Sequence, residues 1–242
     1  MPRSLARLLA HDAPVPAGAD GLLISMITSD SRAVRPGALF AALPGTKVDG
    51  ASFIPQAMAK GAAAILCARG AYAGPGVVIA VDNPRQLLAR MAARFHDKQP
   101  DVVVAVTGTN GKTSVSVFVR QLWEAMGFRS ASLGTIGVVG PDGGQYLNHT
   151  TPDPVELQAL AARLKEDHVS HLAIEASSHG LAQNRLDGLR LTAAGFTNIT
   201  RDHLDYHPTF DDYFEAKMRL FDELLPAGGV AVINADRRMA RK

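Results

Sequence analysis

Residues 102–106, Val-Val-Val-Ala-Val, run straight into Thr107-Gly108-Thr109-Asn110-Gly111-Lys112-Thr113-Ser114. A short apolar run rich in β-branched residues reads as a buried strand, and the glycines behind it read as a sharp turn into a helix. Strand, glycine turn and helix start together make a nucleotide-phosphate cradle. Backbone N–H groups and the positive helix end can surround a polyphosphate, Lys112 can reach its outer phosphates, and Thr113 offers a hydroxyl to Mg²⁺. Residues 108–114 are therefore expected to bind ATP. The usual spacing asks for a glycine where this chain has Val106, and Gly108 sits closer in, so the loop is a variant whose type must come from the rest of the chain.

With 242 residues, 47% of them hydrophobic, the chain can bury enough apolar surface for two domains. Its formal charge of +2 comes from scattered acidic and basic residues, which leaves no electrostatic footprint for nucleic acid. Any anion must be held locally. Cys67 is the single cysteine and lies in an apolar stretch, so it reads as a small buried residue. No run approaches the roughly 18 apolar residues of a membrane span, and residues 1–9 lack the pattern of a secretory leader. A cytoplasmic monomer without membrane or nucleic-acid partners is expected.

Up to residue 99 the chain reads as a small α/β domain. Strands are expected at 22–27, 38–43, 63–67 and 77–81, with a helix at 53–60 and another opened by Asn83-Pro84-Arg85-Gln86 as cap and first turn. A polar break at 96–100 sets the boundary, giving domains 1–98 and 99–242. The second region alternates strands (102–106, 130–133, 171–176, 193–197, 229–233) with helices (112–126, one opened by Asp153-Pro154, and 209–225), plus a glycine-rich hairpin over 134–144. Such alternation predicts a mostly parallel sheet with helices on its faces, incomplete at its C-terminal side.

Glu175 closes an apolar strand, and ligands of open parallel sheets gather at such strand ends. It could hold Mg²⁺ beside ATP phosphates or merely cap the helix that follows. Residues 198–207 also follow a strand and hold two histidines and two aspartates, a polarity that suits either a solvated loop or a metal site. His203 is the stronger candidate there. Lys217 falls inside the apolar arc made by Phe210, Tyr213, Phe214, Phe221, Leu224 and Leu225 when residues are set about 100° apart. It is either a snorkelling side chain or an amine desolvated enough to add CO₂ and become an anionic carbamate that binds Mg²⁺. Gln183 and Arg185 could face one ligand, with the arginine fork suited to phosphate or carboxylate.

Taken in order, Asp30-Ser31-Arg32 with Pro36-Gly37 and Leu39-Phe40, Asp49-Gly50, residues 107–113, Thr150-Thr151-Pro152, residues 175–180, Gln183 with Arg185, and residues 197–207 with Lys217 resemble the Mur ligase family over nearly the whole chain. The resemblance is strongest to the branch that joins a diamino acid, meso-diaminopimelate or L-lysine, to UDP-N-acetylmuramoyl-L-alanyl-D-glutamate (UDP-MurNAc-L-Ala-D-Glu) in peptidoglycan synthesis. It implies an ATP-dependent carbon–nitrogen ligase in which ATP phosphorylates the D-glutamate carboxylate and the amine attacks the acyl phosphate. It also implies catalytic roles for Lys112, Glu175, His203 and Lys217. Thr113, Glu175, His203 and carbamylated Lys217 would serve Mg²⁺. Ser29, Ser31, Thr46, Lys47 and Val48 would contact the uridine diphosphate end, and Thr150, Thr151, Ser177, Gln183 and Arg185 the muramoyl peptide. The first domain would bind UDP-MurNAc and the second ATP.

Where family members often have asparagine, this chain has His149. Members also carry a third domain and a longer central one, which on this comparison would lie past Lys242. Asp82-Asn83-Pro84-Arg85 repeats a string used by diaminopimelate-adding members in that third domain, and here it is expected to start a helix. Two other readings stay open: another Mur-type or folylpolyglutamate ligase, and a non-catalytic nucleotide-sugar binding fragment.

Overall fold

The computed structural model describes all residues except 46–47, 148, 202–205 and 236–242, and the chain divides into two compact units, Met1–Asp97 and Lys98–Lys242. In the first unit, β1 (Arg3–Ser4) leads into α1 (Leu5–Leu9), whose Leu5, Leu8 and Leu9 are buried. The segment expected as one strand over 22–27 breaks at Ser25 into β2 (Leu23–Ile24), antiparallel to β1, and β3 (Met26–Thr28). Ser25 is held by Gly37 and Pro36: its N–H donates to Gly37 O, and its hydroxyl donates to Pro36 O. Gly37 has φ of +83°, and a Cβ there would come within 2.8 Å of the Ser25 hydroxyl, so the bend needs glycine at 37.

β3 then opens a four-stranded parallel sheet, in the order β3-β4-β5-β6, with β4 (Ala38–Ala42), β5 (Ala64–Ala68) and β6 (Val78–Val81). The crossovers include α2 (Ile54–Ala59), and α3 (Pro84–His96) follows the last strand. Asn83 caps α3 by accepting the Gln86 N–H, with Pro84 at its first turn, so the Asp82–Arg85 string does start a helix. Cys67 is fully buried, and burial pushes its thiol up. It is expected to resist thiol reagents in the native protein and to react once denaturant unfolds it; rapid labelling of native protein would contradict this.

Asp12 ties this unit's segments together through Arg90 at 2.5 Å and through Arg94. Burial raises its carboxyl, but the hydrogen bonds and charges of the two arginines outweigh that and hold it below the usual 3.8. A carboxyl lowered by folding stabilises the native state above its unfolded value and loses that contribution as pH falls through its folded one. Thermal midpoints should therefore drop at acid pH, with a shallower drop in Asp12→Asn; identical slopes would remove Asp12 from the account.

The second unit holds a seven-stranded sheet, in the order β10-β9-β8-β11-β7-β12-β13. Its parallel strands are β7 (Val102–Thr107), β8 (Ser130–Gly134), β11 (His171–Glu175), β12 (Ala193–Phe196) and β13 (Val230–Ile233). β9 (Gly137–Gly140) and β10 (Gly143–Gln145) return antiparallel at one edge, so the glycine-rich stretch extends β8 into a three-stranded meander. α4 (Lys112–Ala125) follows β7, α5 (Pro154–Glu166) precedes β11, α6 (Ser178–Ala182) follows it, and α7 (Phe210–Arg219) connects β12 to β13. Asp153 caps α5 by accepting from the N–H groups of Val155 and Glu156. The long helix expected to reach residue 225 is α-helical only to Arg219; Leu220–Leu224 form one π turn, closed by Leu225 N–H donating to Leu220 O. That wider turn lets Leu220 bury while Phe221, Leu224 and Leu225 pack against the central core.

The topology places the crevice. The chain leaves β7 towards β8, on one side, and leaves β11 towards β12, on the other, although β7 and β11 are neighbours. β8 lies beyond β11 and β12 lies beyond β7, so right-handed crossovers carry the two connections over opposite faces of the sheet and open a gap at the carboxyl ends of β7 and β11, where α/β sheets bind ligands. No described helix is long and apolar enough to cross a membrane.

Candidate active site

The loop after β7 is shaped by two glycines. Gly108 has φ of +140°, and a Cβ there would overlap the Thr197 hydroxyl at 2.0 Å; Gly111 has φ of +85° and precedes α4. The turn after β12 grips this loop from outside. Thr109 N–H donates to Asn198 O at 2.8 Å and Asn110 N–H to Asn198 Oδ1 at 3.1 Å. Asn198 Nδ2 and the Thr197 hydroxyl both donate to Asn110 O. Lys112 Nζ donates to the carbonyls of Gly108 and Thr109 at 2.9 Å each, over the mouth of the loop.

Glu175 ends β11 opposite Val106 of β7 and is 1% exposed. Its Oε2 accepts the Thr113 hydroxyl at 3.0 Å, which brings together the two groups expected to share Mg²⁺. It does not cap α6. That role falls to Ser177, whose hydroxyl accepts the Gly180 N–H, so the capping alternative for Glu175 is not what the fold uses.

Lys217 faces inward, as the helical arc requires, and is 1% exposed. Its Nζ lies 4.4 Å from the centre of the Tyr213 ring and donates to Gly108 O at 2.8 Å. The snorkelling alternative would carry the ammonium out to water, and it does not do so. Tyr213, itself fully buried, places its hydroxyl 3.0 Å from that of Thr109.

One cavity of about 620 Å³ gathers Thr109, Asn110, Gly111, Lys112, Thr113, Thr150, Thr151, Glu175, Ser177, Arg185 and Lys217, together with Thr135 and His149. Of the paired candidates Gln183 and Arg185, only the arginine lines it. Gln183 Oε1 accepts from Arg185 Nε and Nη2 at 3.2 and 2.8 Å, so the amide aims the guanidinium. Ser114 is exposed on the first turn of α4, one residue beyond the cavity wall. Ser29, Ser31 and Val48 belong to the other compact unit: Ser29 and Val48 are exposed, and the Ser31 hydroxyl donates to Gln56 Oε1 at 2.9 Å. His203, Thr46 and Lys47 lie outside the described residues. Among the described residues no group of three or more His, Cys, Asp or Glu side chains converges as a metal site.

Sequence reasoning did not single out Thr135, Tyr213 or the Thr197-Asn198 grip as site residues. Thr197 and Asn198 do carry a readable signal, since they fall at the end of a predicted strand, as the phosphate loop does.

Residues 106–242 match the Mur ligase middle domain, and residues 23–96 match the model described as Mur ligase family, catalytic domain. The chain belongs to the Mur ligase family. Among relatives, it is 53% identical over 235 residues to the UDP-N-acetylmuramoyl-L-alanyl-D-glutamate--2,6-diaminopimelate ligase of Bradyrhizobium diazoefficiens, covering 96% of this chain and 48% of that protein. It is 56% identical over 223 residues to the ligase of the same name from Brucella melitensis, covering 91% and 46%. A solved structure of a UDP-N-acetylmuramoyl-L-alanyl-D-glutamate--2,6-diaminopimelate ligase superposes with a TM-score of 0.85 at 31% identity, covering all of this chain and 49% of that one. The chain thus spans about half the length of the relatives it matches.

Proposed function

We propose that this chain carries the ATP site and the acceptor-substrate site of a ligase that joins diaminopimelate to UDP-MurNAc-L-Ala-D-Glu. The observation that carries the reading is the pairing of the phosphate loop with Glu175 through Thr113, inside a cavity that also takes in Thr150, Thr151, Ser177 and Arg185. The two relatives named above favour diaminopimelate over lysine as the added residue.

The residues present suit Mg²⁺. Thr113 and Glu175 offer hard oxygen donors on one side of the cavity, beside backbone amides that suit phosphate. Bound there, Mg²⁺ would neutralise charge on the transferring phosphoryl group. Lys112, now held by loop carbonyls, would turn to the outer phosphates. Arg185, aimed by Gln183, would hold the substrate's carboxylate end for phosphorylation. Lys217 would act as its carbamate, with His203, towards a second Mg²⁺. Ser29, Ser31, Thr46, Lys47 and Val48 would contact the uridine diphosphate end, making residues 1–98 the UDP-MurNAc domain and 99–242 the ATP domain.

Calorimetry with the intact nucleotide sugar tests the substrate half of this reading. UDP-MurNAc-L-Ala-D-Glu should bind more tightly than UDP-MurNAc-L-Ala, and Arg185→Ala should erase most of the difference, worth roughly 1.5–3 kcal/mol for a charged hydrogen-bonded contact. Equal affinities for the two ligands in the unsubstituted protein would contradict it.

A further inference from the structure

Glu175 lines the cavity, and what holds it there is the end of β8. Residue 134 is glycine, and a Cβ at that position would fall 1.9 Å from Glu175 Oε1 and 2.4 Å from its carboxyl carbon. The carboxylate lies across this strand end only because no side chain occupies it. The next residue then supplies two donors. Thr135 N–H donates to Glu175 Oε1 at 2.7 Å, and the Thr135 hydroxyl donates to Oε2 at 3.2 Å.

Proton bookkeeping fixes the direction of this set. An ionised carboxylate accepts only, and a threonine hydroxyl has one proton, so Thr135 spends its proton on Glu175. The contact between the Thr135 and Thr150 hydroxyls, at 3.2 Å, must then run from Thr150 to Thr135. On the other side, the Thr113 hydroxyl also donates to Oε2. A cation held by Thr113 and Glu175 would take one lone pair from each oxygen in place of the Thr113 hydrogen bond, leaving the other Oε2 lone pair to Thr135, the hydroxyl that still orients it.

We infer that Gly134 and Thr135 form a built seat for Glu175, and that Thr135 is a positioning residue setting the affinity of the phosphate-loop site for Mg²⁺. The inference rests on the reading of Glu175 and Thr113 as a Mg²⁺–nucleotide site. Through Thr150, the same hydroxyl joins the carboxylate to the segment proposed to hold the muramoyl peptide. Partners of this outer kind typically change metal affinity by about 10- to 100-fold when removed.

The test is a Mg²⁺ titration of binding of a non-hydrolysable ATP analogue to the purified chain, for the unsubstituted protein, Thr135→Val and Thr135→Ser. Valine keeps the β-branch and the backbone N–H and removes only the hydroxyl. The Mg²⁺ concentration at half-saturation should rise about 10-fold or more in Thr135→Val. Nucleotide affinity at saturating Mg²⁺ should be little changed, and Thr135→Ser should restore the original midpoint. Unaltered Mg²⁺ dependence in Thr135→Val overturns the inference. So does weakening of nucleotide binding by the same factor at every Mg²⁺ concentration, together with a lowered Tm, which is what loosened packing would give. If the unsubstituted protein binds the analogue without regard to Mg²⁺, the nucleotide reading itself fails and this inference falls with it.

Discussion

Lys112→Ala is expected to weaken binding of Mg·ATP by roughly 10- to 100-fold, the range set by about 1.5–3 kcal/mol for a hydrogen bond to a charged group. The ammonium already sits at the mouth of the loop, held by the carbonyls of Gly108 and Thr109. Its move to phosphate exchanges those neutral acceptors for charged ones, which favours the bound state. Thermal stability should change little. Equal affinities for Mg·ATP in the two proteins would show that Lys112 is only a brace for its own loop.

The second large effect is expected at Lys217. Methionine keeps most of the apolar stem and gives up the hydrogen bond to Gly108 O, a loss of about 1 kcal/mol, so Lys217→Met should lower the Tm only slightly. Ligation, measured in a protein of the relatives' full length that carries this chain, should nevertheless fall about 100-fold or more, with partial recovery on addition of short carboxylates. Stability and activity thus move apart, which a lysine serving only the fold could not produce. The chemical state can be read directly: protein equilibrated with ¹³C-bicarbonate should show a carbamate carbon resonance that Lys217→Met lacks. Full activity in the methionine variant would remove the carbamate from the account.

Features governed by neighbouring residues were legible in the chain. Asn83 and Asp153 cap helices because a short polar side chain, a proline and a free N–H lie within three residues of each other. Lys217 could be placed facing inward because helical geometry fixes its direction relative to Tyr213 and Phe221. Glu175 could be placed near the phosphate loop because strand ends of a parallel sheet converge. Contacts that depend on sheet order were not legible. Thr135 meets Glu175 only because β8 lies beside β11, and Asn198 meets Asn110 only because β12 lies beside β7. Neither adjacency follows chain order. The bend at Ser25 and the π turn at Leu220–Leu224 escaped for a related reason, since each answers to packing that hydrophobic periodicity does not encode.

On the function proposed for this chain, the loop after β7 and the carboxylate ending β11 make one Mg²⁺-dependent nucleotide site. That site is tested most directly by calorimetry of a non-hydrolysable ATP analogue with the purified chain, with and without Mg²⁺, in the unsubstituted protein and in Glu175→Gln. The account predicts binding that tightens strongly with Mg²⁺ in the first and loses most of that gain in the second, because glutamine keeps the size of Glu175 but not its charge. Nucleotide binding that ignores Mg²⁺, or a glutamine variant with the full Mg²⁺ response, would contradict it.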